Sequence, residues 1–443
     1  MDIHQKQAVS EVVLDKAGTL ETILSNKTDI QSSCLKVSGP MNDDDIAYIG
    51  KLIRKTAEVT CLDIKESTEL TSIDHNAFEN CEKLVSVILP NGLKRIGDHA
   101  FDNCTGLISM ELPDGVQIIG DRAYSRCANL VSINIPQSVS YVGIGTFFGC
   151  YKLTELHVAD GNARYISYSG ILFDRVDKTL LKYLPTKKIE SDFHIPNGVV
   201  HIGNYAFDGC KGLVSVFVNE GCTDLGERSF VGCEDLKSII LPSTLNNITY
   251  NAFEGCGSMI EIEVNANNQK YSSLDGVLYS KKMDTVEIFP KAKPSPYFFP
   301  SKVRKIHDGA FAGCTDIHTI FIPPYMVHIH NNAFNGCSAL SYVNISSSVK
   351  LIGGFAFAGC INLKKIEVCS DNPPKCGVSS FASVDMSKCV LQVPIDSEMS
   401  YRKEYGWDSF KNVKESFCLS LFSSVPFLRM IWMILKKVFV KKS

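Results

Sequence analysis

The chain has 443 residues and a net charge of −3, so it is long enough to bury a large core and lacks the basic excess typical of nucleic-acid binding. Its 17 cysteines include no Cys-x-x-Cys pair, which excludes the common zinc and dithiol motifs. Walker A, His-Glu-x-x-His, Gly-x-Ser-x-Gly and kinase signatures are absent, so the sequence predicts neither an enzyme nor a cofactor.

Residues 1–70 precede the repetitive part of the chain and combine strand-like and helical patterns. Segments 34–37 and 59–64 have the composition of strands, and segment 43–57 between them carries isoleucines at helical spacing. We predict an N-terminal cap, because the open end of a repetitive core has to be covered. The first residues contain no apolar segment of the signal-peptide type, which leaves a cytoplasmic location open.

Residues 71–368 repeat one phrase, Ala-Phe-x-x-Cys with small variations, ten times. Seven of the nine intervals between copies are 23 residues long, and the other two are 60 and 58. A fixed short period indicates stacked units that bury their apolar faces against one another, so we predict a solenoid. The aromatic position of the phrase is occupied by Phe78, Phe101, Tyr124, Phe147, Phe207, Phe230, Phe253, Phe311, Phe334 and Phe357.

Each unit contains a short strand followed by a turn. In the unit that begins at Cys104, Met110 and Leu112 alternate with polar residues, and Pro113 then limits the strand to a few residues. Gly120 indicates either a positive φ or a close approach between backbones. The Ala-Phe-x-x-Cys segment is predicted to form one helical turn.

The full phrase, Leu-x-x-Ile-x-Leu-Pro-x-x-Val-x-x-Ile-Gly-x-x-Ala-Phe-x-x-Cys, resembles the BspA-like (Treponema-type) leucine-rich repeat family of bacterial surface proteins. The resemblance implies an α/β repeat solenoid: a leucine-rich-repeat arc with strands on its concave face and short helical turns on its convex side. It also implies N- and C-terminal caps, a location at the cell surface or on a membrane, and roles in adhesion. The expected partner is a protein.

The two long intervals share a second pattern. Segments 159–200 and 265–303 each contain Tyr-x-x-x-x-Gly followed by Ile or Val, Leu and an aromatic residue. We predict that each is a modified repeat with an inserted hairpin that keeps the sheet continuous.

Ten of the cysteines fall in the last position of the repeated phrase. A cysteine in every repeat is most simply a small buried apolar residue, so we predict a structural ladder of free thiols. The ladder consists of Cys81, Cys104, Cys127, Cys150, Cys210, Cys233, Cys256, Cys314, Cys337 and Cys360.

The C-terminal part divides into a segment, 369–413, that resembles the cap of the same family and an apolar, basic tail, 414–443. Within the tail, segment 417–435 is just long enough to span a bilayer, but Pro426 and Arg429 lie inside it. Three interpretations remain open: a spanning anchor, a helix in the membrane interface, or a tail that packs on the cap or is disordered.

Strand residues that point away from the core are the candidate binding residues of such an arc. Most of them are polar, but Phe217, Ile240, Phe321 and Tyr342 are apolar, which is typical of interface anchors. Glu261 and Glu263 share this face as solvated carboxylates. The competing interpretation is that isolated exposed apolar residues are normal, or that the hairpins cover them.

Two histidines, His307 and His330, lie one repeat apart, and His328 is close to them in sequence. Without a cysteine or acidic ligand at a fitting spacing, surface turns are favoured over a metal site.

These features predict a non-enzymatic binding scaffold for protein recognition or adhesion at the cell surface. A membrane-tethered structural or assembly protein, and a carbohydrate-binding accessory protein, are the alternatives. The latter predicts that sugar rings stack on Phe217, Phe321 or Tyr342. The sequence gives no oligomeric state.

Overall fold

A computed structural model describes residues 9–25, 32–56, 58–186 and 192–417 of the chain. Through the repeats the chain winds in stacked coils, and equivalent strands of successive coils pair in parallel, as Ser109 does with Ser132. Each regular coil contributes one strand of three or four residues and one strand of two residues. The fold is therefore a β-solenoid with few helices.

The longer strands form one row, here called the first-row strands, and the two-residue strands form the second row. First-row strands are Ser86–Ile88, Ser109–Glu111, Ser132–Ile135, Glu155–Val158, Asp192–His194, Ser215–Phe217, Ser238–Leu241, Glu261–Val264, Thr319–Ile322, Tyr342–Ile345, Lys365–Val368, Val390–Val393 and Asn412–Glu415. Second-row strands are Ser72–Ile73, Arg95–Ile96, Ile118–Ile119, Tyr141–Val142, His201–Ile202, Asp224–Leu225, Asn247–Ile248, Lys305–Ile306, His328–Ile329, Leu351–Ile352 and Lys375–Cys376.

The Ala-Phe-x-x-Cys segments are turns, not the helical turns that the sequence predicts. In one coil the Cys104 N–H donates to the Phe101 carbonyl at 3.2 Å, but Asn103 between them has a φ of 59° and His99 has a φ of 55°. Two left-handed residues in this coil stop a right-handed helix. They also let the Phe101 N–H reach the Ala123 carbonyl of the next coil at 2.8 Å.

The glycine that follows the second-row isoleucine is explained by close approach, not by a positive φ. A Cβ atom added to Gly120 would lie 2.6 Å from the backbone nitrogen of Asp98 in the preceding coil. Such a distance is far inside van der Waals contact, so a side chain at this position would push the coils apart.

The ten repeat cysteines are buried and form no disulfide. In a regular coil the thiol donates to the carbonyl of the aromatic residue one coil earlier, at 3.1 Å from Cys233 Sγ to Phe207 O and 3.1 Å from Cys337 Sγ to Phe311 O. The residue thus combines small size with a weak donor.

Each long interval folds into three antiparallel strands that replace the regular turn. The first set is Tyr165–Tyr168, Ile171–Asp174 and Thr179–Tyr183, and the second is Tyr271–Leu274, Val277–Ser280 and Thr285–Ile288. The third strand of each set pairs in parallel with the next second-row strand, so the coils resume after it.

The N-terminal segment holds strands Val9–Val13, Cys34–Pro40, Cys61–Asp63 and Ser67–Thr68 and helices Leu20–Ser25 and Asp43–Lys55. A disulfide joins Cys34 to Cys61 on adjacent strands. Arg54, in the second helix, donates to the carbonyls of Ala77 and Glu79 at 3.2 and 3.0 Å. Because these carbonyls face the open end of the turn stack, Arg54 takes the place of a preceding coil.

At the other end, helix Glu398–Lys403 and the fully buried Trp407 cover the last turn. The indole N–H of Trp407 donates to the Pro374 carbonyl at 2.8 Å. The predicted apolar tail lies outside the described residues from residue 418 onward. In the described part of the chain, no helix has the length and apolar character needed to cross a bilayer.

Candidate binding surface on the first-row strands

The outward side chains of the first-row strands, here called the first-row face, alternate with core residues. Val216 is fully buried while Ser215 and Phe217 on either side are half-buried, the alternation of a strand with one face in the core. The prediction that the hairpins keep the sheet continuous is wrong, because strands 109–158, 192–264 and 319–415 form three separate sheets. The first-row face is therefore divided at each hairpin. The six predicted binding residues therefore fall into two groups.

The first group lies on the sheet of strands 192–264. Phe217 pairs in register with Ile240, and Ile240 with Glu263, while Glu261 lies one position away on the face. Ile240 is half-buried like Phe217, and Glu263 is exposed. The sequence prediction missed His194, which pairs with Phe217 on the other side.

His194, Phe217 and Ile240 form a continuous strip across three strands, here called the apolar row. The imidazole of His194 stacks on the Phe217 ring with centroids 4.4 Å apart and an interplanar angle of 15°. His194 is 23 residues before Phe217, so one repeat period would have found it despite the degenerate strand.

A groove of about 450 Å³ runs beside the apolar row, lined by His194 and Phe217 together with Pro196, Asn219 and Glu220 among others. The backbone N–H of Ser243 donates to the Glu220 carboxylate at 3.0 Å and the Ser243 hydroxyl at 2.7 Å. These hydrogen bonds, the backbone one first, lower the pKa of Glu220. The groove therefore carries a fixed negative charge at neutral pH.

The second group consists of Phe321 and Tyr342, whose rings meet edge to face with centroids 5.7 Å apart. Tyr342 is already engaged: its hydroxyl donates to the buried Glu367 carboxylate at 2.6 Å, and the Lys365 ammonium lies 5.5 Å from its ring centroid. Burial and the Glu367 carboxylate raise the pKa of Tyr342 well above its ordinary value. The hydrogen bond and the contact with the ammonium hold the Tyr342 side chain in place. Phe321 and Tyr342 are therefore less able than the apolar row to adjust to a partner.

The three histidines near the second hairpin do come close together. The rings of His307 and His330 are 6.4 Å apart and nearly parallel, and those of His328 and His330 are 5.9 Å apart. His307 Nε2 lies 3.9 Å from the Glu287 carboxylate, beyond a direct hydrogen bond. Within the described ranges no group of three or more His, Cys, Asp or Glu side chains is arranged to hold a metal ion.

Comparison with known proteins points to one family. A family model described as BspA type Leucine rich repeat region matches in six copies, over residues 54–170, 186–293 and 287–398. A leucine-rich repeat protein from Eubacterium ventriosum is 21% identical, with a TM-score of 0.50 over 80% of this chain and 91% of that one. A leucine rich cell surface protein from Faecalibacterium prausnitzii is 20% identical, with a TM-score of 0.44 over 81% and 83%.

No protein with a curated description matches the chain. The matching family model indicates no catalytic activity.

Proposed function

Because the chain belongs to the BspA-type leucine-rich repeat family, we propose that it is a non-enzymatic binding scaffold whose first-row face recognises a protein. The observation that carries the proposal is the apolar row of His194, Phe217 and Ile240 on an otherwise polar sheet. Placement at a cell surface, with a role in adhesion, follows from the family resemblance and is part of the proposal.

The apolar row has the composition of an interface centre. Phe217 offers a large ring held on both sides by neighbours, so a partner would bury it at little cost in side-chain entropy. Half-buried serines flank the row, and the hydroxyl of Ser238 donates to that of Ser215 at 3.0 Å. Such a pattern, an apolar centre with a polar rim, is typical of protein interfaces.

The test starts from the full chain carrying a photo-crosslinking residue in place of Ile240, which identifies the bound protein. Its affinity is then measured for the native chain, for Phe217→Ala and for Ile361→Ala, an exposed residue outside the row. We expect Phe217→Ala to weaken binding about 30-fold, since an interface anchor contributes about 2 kcal/mol, and Ile361→Ala to leave it unchanged. Equal dissociation constants for all three would contradict the proposal.

A second candidate function is favoured by the groove beside the apolar row. Asn197, Asn219 and Glu220 place amide and carboxylate groups next to the His194 and Phe217 rings, which is the chemistry of a sugar site. On a glycan array, a carbohydrate-binding accessory protein would give hits that disappear with Phe217→Ala. An array without hits would dismiss this candidate.

A further inference from the structure

A cavity of about 230 Å³ lies where the first hairpin joins the coils, on the second-row side of the solenoid and away from the apolar row. The turn 142–148 forms one wall, and the hairpin and the following coil form the other. Phe148 and Leu172 contribute apolar surface, whereas Lys182, Asn204 and Tyr205 contribute polar groups. No acidic residue is among the described residues that line it.

Lys182 is an unusual residue for this position because it is a buried cation. Its side chain is 4% exposed, and its ammonium lies 3.6 Å from a carboxylate oxygen of Asp208, whose side chain is 2% exposed. That oxygen already accepts the Gly149 N–H at 2.6 Å. The Lys182 ammonium makes no hydrogen bond with any described residue. An ammonium buried in this way leaves three donors unused, which is costly.

The second hairpin shows that the fold does not need this ion pair. Lys182 pairs with Leu172 across the first hairpin, and in the same register Ile288 pairs with Leu278 across the second. Asp208, the residue after Phe207, likewise corresponds to Ala312, the residue after Phe311. Two apolar residues therefore complete the same junction without this ion pair, and the cation nearest to it, Lys291, is only half-buried.

Tyr205, by contrast, has a packing explanation. Its ring packs over Gly145, where an added Cβ atom would lie 3.3 Å from the ring. At the second junction the order along the chain is reversed: Tyr250 precedes the hairpin and packs over Gly309, which follows it. Each junction thus has one tyrosine that fills the gap. The argument for a site therefore rests on Lys182 and Asp208, with Tyr205 only as a wall of the cavity.

We propose that this cavity binds a small carboxylate that the Lys182 ammonium anchors. The Asn204 amide is a second donor, because its Oδ1 accepts the Glu227 N–H at 2.8 Å and leaves the amide nitrogen to donate. A donor-rich, acid-free lining favours an oxyanion. The apolar wall and the volume fit an aliphatic or aromatic acid of two to seven carbons, from acetate to benzoate.

The experiment uses the full chain in chloride-free buffer, with acetate, benzoate and inorganic phosphate as probes and saturation-transfer NMR as the readout. We expect saturable binding of acetate or benzoate that Lys182→Ile weakens about tenfold or more, since a hydrogen bond to a charged group is lost. Lys182→Ile alone leaves the Asp208 carboxylate buried without its cation and should lower the melting temperature. The double variant Lys182→Ile with Asp208→Ala reproduces the second junction, so it should lose carboxylate binding while it keeps the native melting temperature or exceeds it.

Asn204→Asp is the third variant, because its carboxylate can still accept the Glu227 N–H while it repels an anion in the cavity. It should abolish carboxylate binding even if Lys182→Ile does not fold. The proposal is overturned if neither carboxylate binds the native chain, if all three variants bind as well as the native chain, or if phosphate alone binds. Failure of the Phe217→Ala test would leave this site untouched, because the cavity and the apolar row share no residue.

Discussion

At the scale of single residues, the repeated cysteine acts as a hydrogen-bond donor within the core. Cys233 Sγ lies 3.1 Å from the Phe207 carbonyl, the regular distance inside a stack of coils. Where a hairpin precedes the coil, the distance grows to 3.9 Å, as between Cys210 and the Tyr183 carbonyl. The hydrogen bond of the thiol therefore depends on regular stacking, and alanine, which is smaller and has no donor, could not form it.

Burial should make the ladder thiols unreactive in the native state. It raises the pKa of Cys150 and of Cys256 to about 12, so at pH 8 roughly one thiol in ten thousand is ionised. Because only the thiolate reacts, we expect iodoacetamide to leave all ten unlabelled in buffer and to label them in concentrated urea. Peptide mapping by mass spectrometry reads out each site. Rapid native labelling of Cys233 would contradict the buried ladder.

The sequence was sufficient to locate the repeat cysteine, because ten copies at a fixed period are too regular to arise by chance. It did not reveal Lys182, which occurs in one copy and looks like any surface lysine until the hairpin register places it in the interior. His194 is an intermediate case: its strand sequence departs from the repeat pattern, but its spacing of one period from Phe217 could have located it.

At the scale of elements, one asparagine fastens each hairpin to the coil before it. The Asn268 amide nitrogen donates to the carbonyls of Pro242 and Leu245 at 2.9 Å each, and its oxygen accepts the N–H groups of Lys270 and Tyr271 at 2.8 and 2.7 Å. Asn162 makes the same four bonds at the first hairpin. An aspartate has no amide donor for the two carbonyls.

Removal of the four hydrogen bonds of Asn268, here called the asparagine bracket, should destabilise the chain strongly. We expect Asn268→Ala to lower the free energy of unfolding by about 3 kcal/mol, because two carbonyls and two N–H groups lose a buried partner. Asn267→Ala, next to it but exposed, is the matched control and should cost under about 0.5 kcal/mol. Urea denaturation followed by circular dichroism measures both. Equal midpoints for the two variants would show that the bracket contributes little.

The elements that the sequence predicted well are those with many copies. The strands follow from alternation and from the proline after them, whereas the helical turn was wrong because φ signs cannot be read from a five-residue phrase. Asn103, Arg126 and Gly149 all precede a repeat cysteine with positive φ, so this slot accepts several residue types. The asparagine brackets occur only twice, which is too few for a periodic signal.

At the scale of the whole molecule, the two hairpins divide the interior into three parts. The repeat aromatics stack from Phe78 to Phe147 and again, after each hairpin, from Tyr183 to Phe253 and from Phe289 to Phe381. Neighbouring hairpin residues face different cores, since Leu172 packs in the first cluster and Ile171 in the next. Each hairpin is thus a partition that both cores share.

A partitioned core should lose stability locally when one part is damaged. Phe230 is fully buried between Phe207 and Phe253 in the middle stack, with centroids 4.8 and 5.6 Å away, so Phe230→Ala should cost about 3–5 kcal/mol. Because repeat stability is a sum of nearest-neighbour terms, most of that loss should remain in the middle part.

Hydrogen exchange followed by mass spectrometry can test this distribution segment by segment. With Phe230→Ala we expect amides in residues 192–264 to lose far more protection than those in 86–158 or 319–393, and with Ile361→Ala, an exposed site, no segment should change. The hairpins would then act as boundaries between units that open separately. If protection falls equally in all three segments, the hairpins couple the three parts of the core and the solenoid unfolds as a single cooperative unit.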